Sequence, residues 1–268
     1  MNLASTNNIS HPDLMHRLWW NVADTGVIAW RNLMRYVRLP QLLIYSTIQP
    51  VMFLLLFTFV FGGAIQVPGV DYINYLVPGI LVQTVLFGST QTSVGLAEDL
   101  SKGMIDRFRS LPMARAAVMA GRTLADTVRN ALVVLLLVGV GTLIGFRFQN
   151  GFWSAVGAIV LVVFFGHAFS WISAFIGLST REPETAQVAG TVWIFPLIFA
   201  SSAFVPVESM PDWLQTFAKV QPISLTVNSV RALSLGGDLS NVGLTLAWVV
   251  GIILVFVPLA IWQYRKIV

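Results

Sequence analysis

The chain contains no cysteine, which excludes a disulfide framework, a thiolate nucleophile and a Cys-type zinc site. Charge is scarce as well. Only 10% of its residues are Asp, Glu, Lys or Arg, against roughly 25% in soluble domains. Lysine is confined to Lys102, Lys219 and Lys266, and none of them follows a Gly-rich strand–helix turn. No G-x-x-x-x-G-K-[ST] stretch occurs, so the chain cannot cradle a nucleotide phosphate by a P-loop. His11 and His16 fall in the N-terminal tail, where no metal role is expected, and no cleavable signal peptide is expected there either.

What is present is apolar. Hydrophobic residues make up 56% of the chain, and the mean hydropathy of +0.76 is too high for one soluble core to hide. The 18 Phe and 9 Trp suit lipid-facing surfaces and interfacial belts. Acidic and basic residues cut the sequence into six neutral stretches, each able to hold the ~20 residues that cross a bilayer. The expected spans are Leu42–Phe61, Tyr75–Val94, Thr127–Phe146, Ala155–Leu178, Ala186–Phe204 and Val242–Trp262, with Arg129 snorkelling at the end of the third. Pro50, Pro78, Pro196 and Pro258 inside them are compatible with membrane helices, whose neighbours re-satisfy freed carbonyls.

The formal charge of +4 reports topology, not nucleic acid. Thirteen of the sixteen basic residues fall before the first span, between the second and third, after the fourth, or at the end. Only Arg147, Lys219 and Arg231 fall on the other side, so both termini are expected in the cytoplasm of a bacterial inner-membrane protein. The expected fold is thus an all-α polytopic membrane protein. It comprises a disordered cytosolic tail over 1–18, an amphipathic interface helix over 19–39 and a six-helix transmembrane domain over 42–264. The interface helix is read from Trp19, Val22, Val27, Trp30, Met34 and Val37, opposite Arg31, Arg35 and Arg38.

Two loops stand out. The cytosolic loop 97–126 carries the densest charge, and within it Lys102–Leu111 reads as a short helix stopped by Pro112. Met104, Phe108 and Leu111 fall at i, i+4, i+7 with Ile105 beside them, an apolar ridge suited to docking in a partner's groove or to packing on the bundle. Beyond it Arg115, Arg122 and Arg129 recur every seven residues, with Asp126 able to pair with either of the last two, which reads as a solvated helical extension. The outer loop 205–241 holds two short helices that meet at Gln221-Pro222, either a re-entrant hairpin or a capping loop.

The candidate substrate path rests on polar residues inside spans. Gln83, Ser89 and Gln91 make the second span polar without charge, and either bond helix to helix or line a route for a bulky amphiphile. His167 and Ser170 on the fourth span imitate a base–nucleophile pair. No acid lies in that span to orient the ring, so packing or lining a polar path is the better reading.

Glu98-Asp99-Leu100-Ser101-Lys102-Gly103, Ile105-Asp106-Arg107-Phe108-Arg109-Ser110-Leu111-Pro112-Met113 and Gly121-Arg122 resemble the ABC-2 type permeases, specifically the membrane subunits of daunorubicin/doxorubicin-resistance exporters. Pro206, Met210-Pro211-Asp212-Trp213-Leu214, Gln221-Pro222 and Arg231 extend the resemblance, with Gln221 where the family usually has Asn. The resemblance implies two permeases, identical or paralogous, and two cytosolic ABC ATPase subunits, which bind the ATP and Mg that this chain does not. It also implies a coupling helix formed by Lys102, Met104, Ile105, Arg107, Phe108, Arg109 and Leu111. Membrane lipids are expected partners and nucleic acid is not. The function expected is export of a drug-like or lipid amphiphile. A polysaccharide or glycolipid exporter subunit is the alternative, and a self-sufficient channel or carrier a more distant one.

Overall fold

The computed structural model describes residues 14–63, 65, 67, 69–104 and 115–267. Among them the chain is helical throughout, and no strand forms. Helix α1 spans Leu14–Arg38, and α2 spans Pro40–Leu56 and runs into a π-turn over Phe57–Phe61. The long helices α3 (Tyr72–Ser101), α4 (Arg115–Leu143) and α5 (Phe152–Thr180) follow. The short α6 (Pro183–Thr191) and α7 (Ile194–Phe199) lead to α8 (Asp212–Val220), α9 (Pro222–Leu235) and the closing helix α10 (Ser240–Ile267).

Among the described residues four helices are long and apolar enough to cross a membrane by themselves: α3, Ala117–Leu143 of α4, α5 and α10. The other two expected spans take a different form. Leu42–Phe61 divides into the 17 residues of α2 and the five-residue π-turn, so the expected single helix is only partly regular. Phe57 of that turn stacks on Phe204 at 4.6 Å, so the widened segment is also a packing surface. Ala186–Phe204 is broken at Val192-Trp193 into α6 and α7. The cause is Pro196, which offers no N–H to the carbonyl four residues back and whose ring crowds it; that carbonyl belongs to Val192.

Helix α3 is the centre of the bundle, packed against α4, α5, α6 and α9. In its most apolar window 83% of residues are buried, against 22% for α10, so the most polar span is the least exposed and the most apolar one lies outside. That order follows from solvent. Hydroxyl and amide side chains need partners that lipid cannot offer, whereas the Leu, Val and Trp side chains of α10 need none.

Helix α1 starts at Leu14, within the stretch expected to be a tail; residues 1–13 lie outside the described residues. It carries two apolar faces where the sequence suggests one. Ile28, Ala29 and Asn32 are buried against α4, while Val27, Trp30 and Val37 are exposed, Trp30 at 63%.

Candidate functional site

Helix α4 carries Arg122, Asp126 and Arg129 inward. All three are nearly inaccessible, at 7%, 1% and 3% exposure, so the expected solvated extension is instead a buried junction of α1, α3 and α4. Arg122 donates to Asp99 at 3.2 Å and lies 3.7 Å from Asp126. Asp126 also accepts from Thr92 at 2.7 Å and from the Tyr36 hydroxyl at 2.9 Å. Arg129 donates to the Tyr36 oxygen, the Gly88 carbonyl and the Asn130 side chain. Burial holds the Tyr36 phenol above its usual pKa, and the Asp126 carboxylate pushes it the same way. Buried ions cost several kcal/mol each to desolvate, so such a cluster persists only when nearly every group is paired. Its signal in the sequence is Asp126 four residues after Arg122 and three before Arg129. Nothing there shows that α1 covers that face.

Beside this junction a polar cleft runs between α2, α3 and α4. Its smaller part, about 80 Å³, is lined by Gln49, Gln83 and Asn130 together with Phe53, Phe87 and Val133. Its wider part, about 280 Å³, is walled by Asn32, Tyr36, Gln91 and Glu98. Arg129, Ser46 and Gln49 belong to both, so the two parts are continuous. Four buried polar atoms around it have no partner in the protein: Asn32 Nδ2, Gln83 Oε1, Arg129 Nε and Asn130 Nδ2. The cleft therefore combines an apolar wall with unspent hydrogen-bonding capacity, the combination that suits an amphiphile.

The five substrate-path candidates divide. Gln83 and Gln91 line the cleft. Ser89 is fully buried, donates to the Leu86 carbonyl and meets Ser173 at 3.3 Å, so it ties α3 to α5. Ser170 donates to the Gly166 carbonyl of its own helix. The His167 Nε2 accepts from Trp171 at 3.2 Å, so Nδ1 carries the proton and donates to Thr127, 2.7 Å away. Both ring nitrogens and the Ser170 hydroxyl are spent on packing, which is why these residues form no catalytic pair.

Of the expected coupling residues, Lys102 and Met104 are described. Lys102 is exposed at the end of α3 and pairs with Glu98, and Met104 is half-buried after the turn at Gly103, whose φ of 65° suits glycine. Ile105, Arg107, Phe108, Arg109 and Leu111 lie outside the described residues.

At the opposite end of α3 a second polar junction closes the segment that follows α7. Arg231 of α9 donates to the carbonyls of Tyr75 and Ser202, both at 3.0 Å, and stacks on the Tyr75 ring at 3.6 Å. Tyr75 and Tyr72 donate to the carbonyls of Ser202 and Phe204, and Gln221 to that of Ala200. The residue in place of the family's Asn thus satisfies a carbonyl that the end of α7 leaves open.

Residues 24–235 match the family model of the ABC-2 type transporter. The chain is 37% identical over 246 residues to the daunorubicin resistance ABC transporter permease protein of Streptomyces coeruleorubidus, covering 91% of this chain and 87% of that one. It is 32% identical over 250 residues to a probable doxorubicin resistance ABC transporter permease protein of Mycobacterium tuberculosis, covering 91% and 89%. A putative transport permease of Cyanophora paradoxa is 26% identical over 219 residues, covering 79% and 74%. With its apolar helices and these relatives, the chain is a multi-pass membrane permease that belongs to the ABC-2 type transporter family.

Proposed function

We propose that this permease is the membrane half of an ATP-driven exporter that moves a drug-like amphiphile out of the cytoplasm or inner leaflet. The observation that carries this reading is the extent of the match to a daunorubicin resistance permease, over nearly the whole of both chains. The cleft supports the substrate class, because Gln83 and Gln91 line the same space as Phe53 and Phe87. ATP and Mg belong to a separate cytosolic ATPase subunit, since this sequence has no phosphate-cradling loop. Both termini and the loop after α3 face the cytoplasm, where the basic residues cluster. A second permease copy or a paralogue completes the path.

In this reading nucleotide-driven closure of the ATPases moves the segment after Lys102. The displacement enters the bundle through α3 and α4, whose ends the Asp99–Arg122 pair clamps together. The cleft lies directly beyond that clamp. The experiment is affinity purification of the tagged permease from its own cells. An ABC ATPase should come with it, and daunorubicin efflux should need both subunits. A permease that recovers no ATPase, yet drives efflux alone, would overturn the reading.

A further inference from the structure

We propose that the cleft between α2, α3 and α4 seats the phosphate of an anionic phospholipid, with Arg129 and Asn130 as its binding groups. Arg129 is fixed at the wall, 3% exposed, and among the described residues no carboxylate lies within ion-pair distance of it. The nearest acid along the helix, Asp126, is already engaged by Tyr36, Thr92 and Arg122. The guanidinium spends its terminal nitrogens on Tyr36, Gly88 and Asn130 but leaves Nε unpartnered. Asn130 is held one way round. Its oxygen accepts from Arg129, so the free end of the amide is the NH2 group, and that too has no partner. Asn32, which lines the wider part of the cleft, has a third donor without a partner, its Nδ2.

Three unpartnered donors, one of them on a cation with no direct ion pair among the described residues, call for an anionic, oxygen-rich group, and phosphate oxygens accept from guanidinium and amide N–H in this way. The apolar lining rules out a small soluble anion as the best fit. Phe53, Phe87 and Val133 face the same space, and Ile48, Met52 and Leu56 continue an exposed apolar surface along α2. The depth also fits. The cleft reaches Asn32 and Tyr36 of α1, whose Val27, Trp30 and Val37 form the outward apolar face of an interfacial helix. A phosphate at Arg129 would therefore lie near the headgroup level, with acyl chains along α2.

The inference shares the cleft with the proposed substrate route but rests on its donors alone, so the test uses neither drug nor ATPase. The purified full chain is placed in mixed micelles with equal dioleoyl-phosphatidylglycerol and dioleoyl-phosphatidylcholine, and retained lipid is read by native mass spectrometry. Phosphatidylglycerol should be retained about tenfold over phosphatidylcholine, and Arg129→Gln should bring that ratio near one. Phe53→Trp, which narrows the cleft and leaves the ion network intact, should lower phosphatidylglycerol retention as well, and decides the matter if Arg129→Gln does not fold. Equal retention of the two lipids, or a preference unchanged in either folded variant, overturns the proposal. So does binding of the acyl-free headgroup, glycerophosphoglycerol, as tightly as the whole lipid, which would mark a site for soluble anions.

Discussion

The guanidinium of Arg122 lies in the space where any side chain on Gly95 would begin, and it donates both to the Gly95 carbonyl and to Asp99 one turn further along α3. Glycine at position 95 is therefore what lets α4 bring a buried cation against α3. Gly95→Ala should push the guanidinium aside and leave Asp99 and Asp126 short of a partner, at a cost on the order of 3–5 kcal/mol. Gly139→Ala, where an added methyl meets nothing within 4 Å, should be neutral or slightly stabilising. Thermal unfolding of both variants in one detergent compares them, and equal midpoints would show the junction to be unimportant.

Tyr36 couples the junction to α1. Tyr36→Phe removes a hydrogen bond to Asp126 and one from Arg129, and should cost about 1–3 kcal/mol at neutral pH. The alkaline dependence has a definite sign. The folded pKa of Tyr36 is raised above its ordinary value of 10.0, so the stability tied to the neutral phenol is present below that pH. It is lost as pH rises towards the folded value, because the unfolded phenol ionises first. Denaturation from pH 8 to 11 should thus show a steeper alkaline loss in the wild type than in Tyr36→Phe.

Arg231 holds the end of α7 to α3 and α9. Arg231→Lys keeps the charge but cannot reach the Tyr75 and Ser202 carbonyls and the Asn228 oxygen together. It should behave nearly as badly as Arg231→Ala, each losing on the order of 1–3 kcal/mol per unsatisfied buried acceptor. A lysine variant as stable as the wild type would mean that charge, not the planar fork, is what this junction needs.

Phe108 is expected to anchor the segment after α3 in the ATPase. Phe108→Ala should abolish co-purification of the ATPase, as loss of about 2–4 kcal/mol from a central aromatic does, while leaving membrane insertion intact. Arg109→Ala should slow association and reduce its salt sensitivity without abolishing assembly. The reverse pattern would make docking electrostatic and assign the apolar ridge to the bundle.

Orientation is testable directly, because the chain has no cysteine of its own. A membrane-impermeant maleimide applied to intact cells should label Asp212→Cys and spare Asp106→Cys until the membrane is opened. Labelling of Asp106→Cys alone would invert the topology.

The order of residues along the chain was enough to fix the solvent and the backbone's response to it. Long charge-free runs belong in lipid, and a lone chain segment in lipid satisfies its own N–H and C=O groups as a helix. That is why α3, α4, α5 and α10 were legible, as was the polarity of α3. What each polar face meets emerged only from packing. Ser89, Ser170 and His167 looked as eligible for a path as Gln83 and Gln91, because a pattern along one helix shows which side chains share a face but not what covers it. The charges of α4 read as solvated for the same reason: their period is visible, whereas the docking of α1 across them is a long-range contact with no local trace. The segment after α7 needed the structure in the same way, since the carbonyls of Ala200, Ser202 and Phe204, left open where the helix ends, are satisfied by Tyr72, Tyr75, Gln221 and Arg231, all distant in sequence.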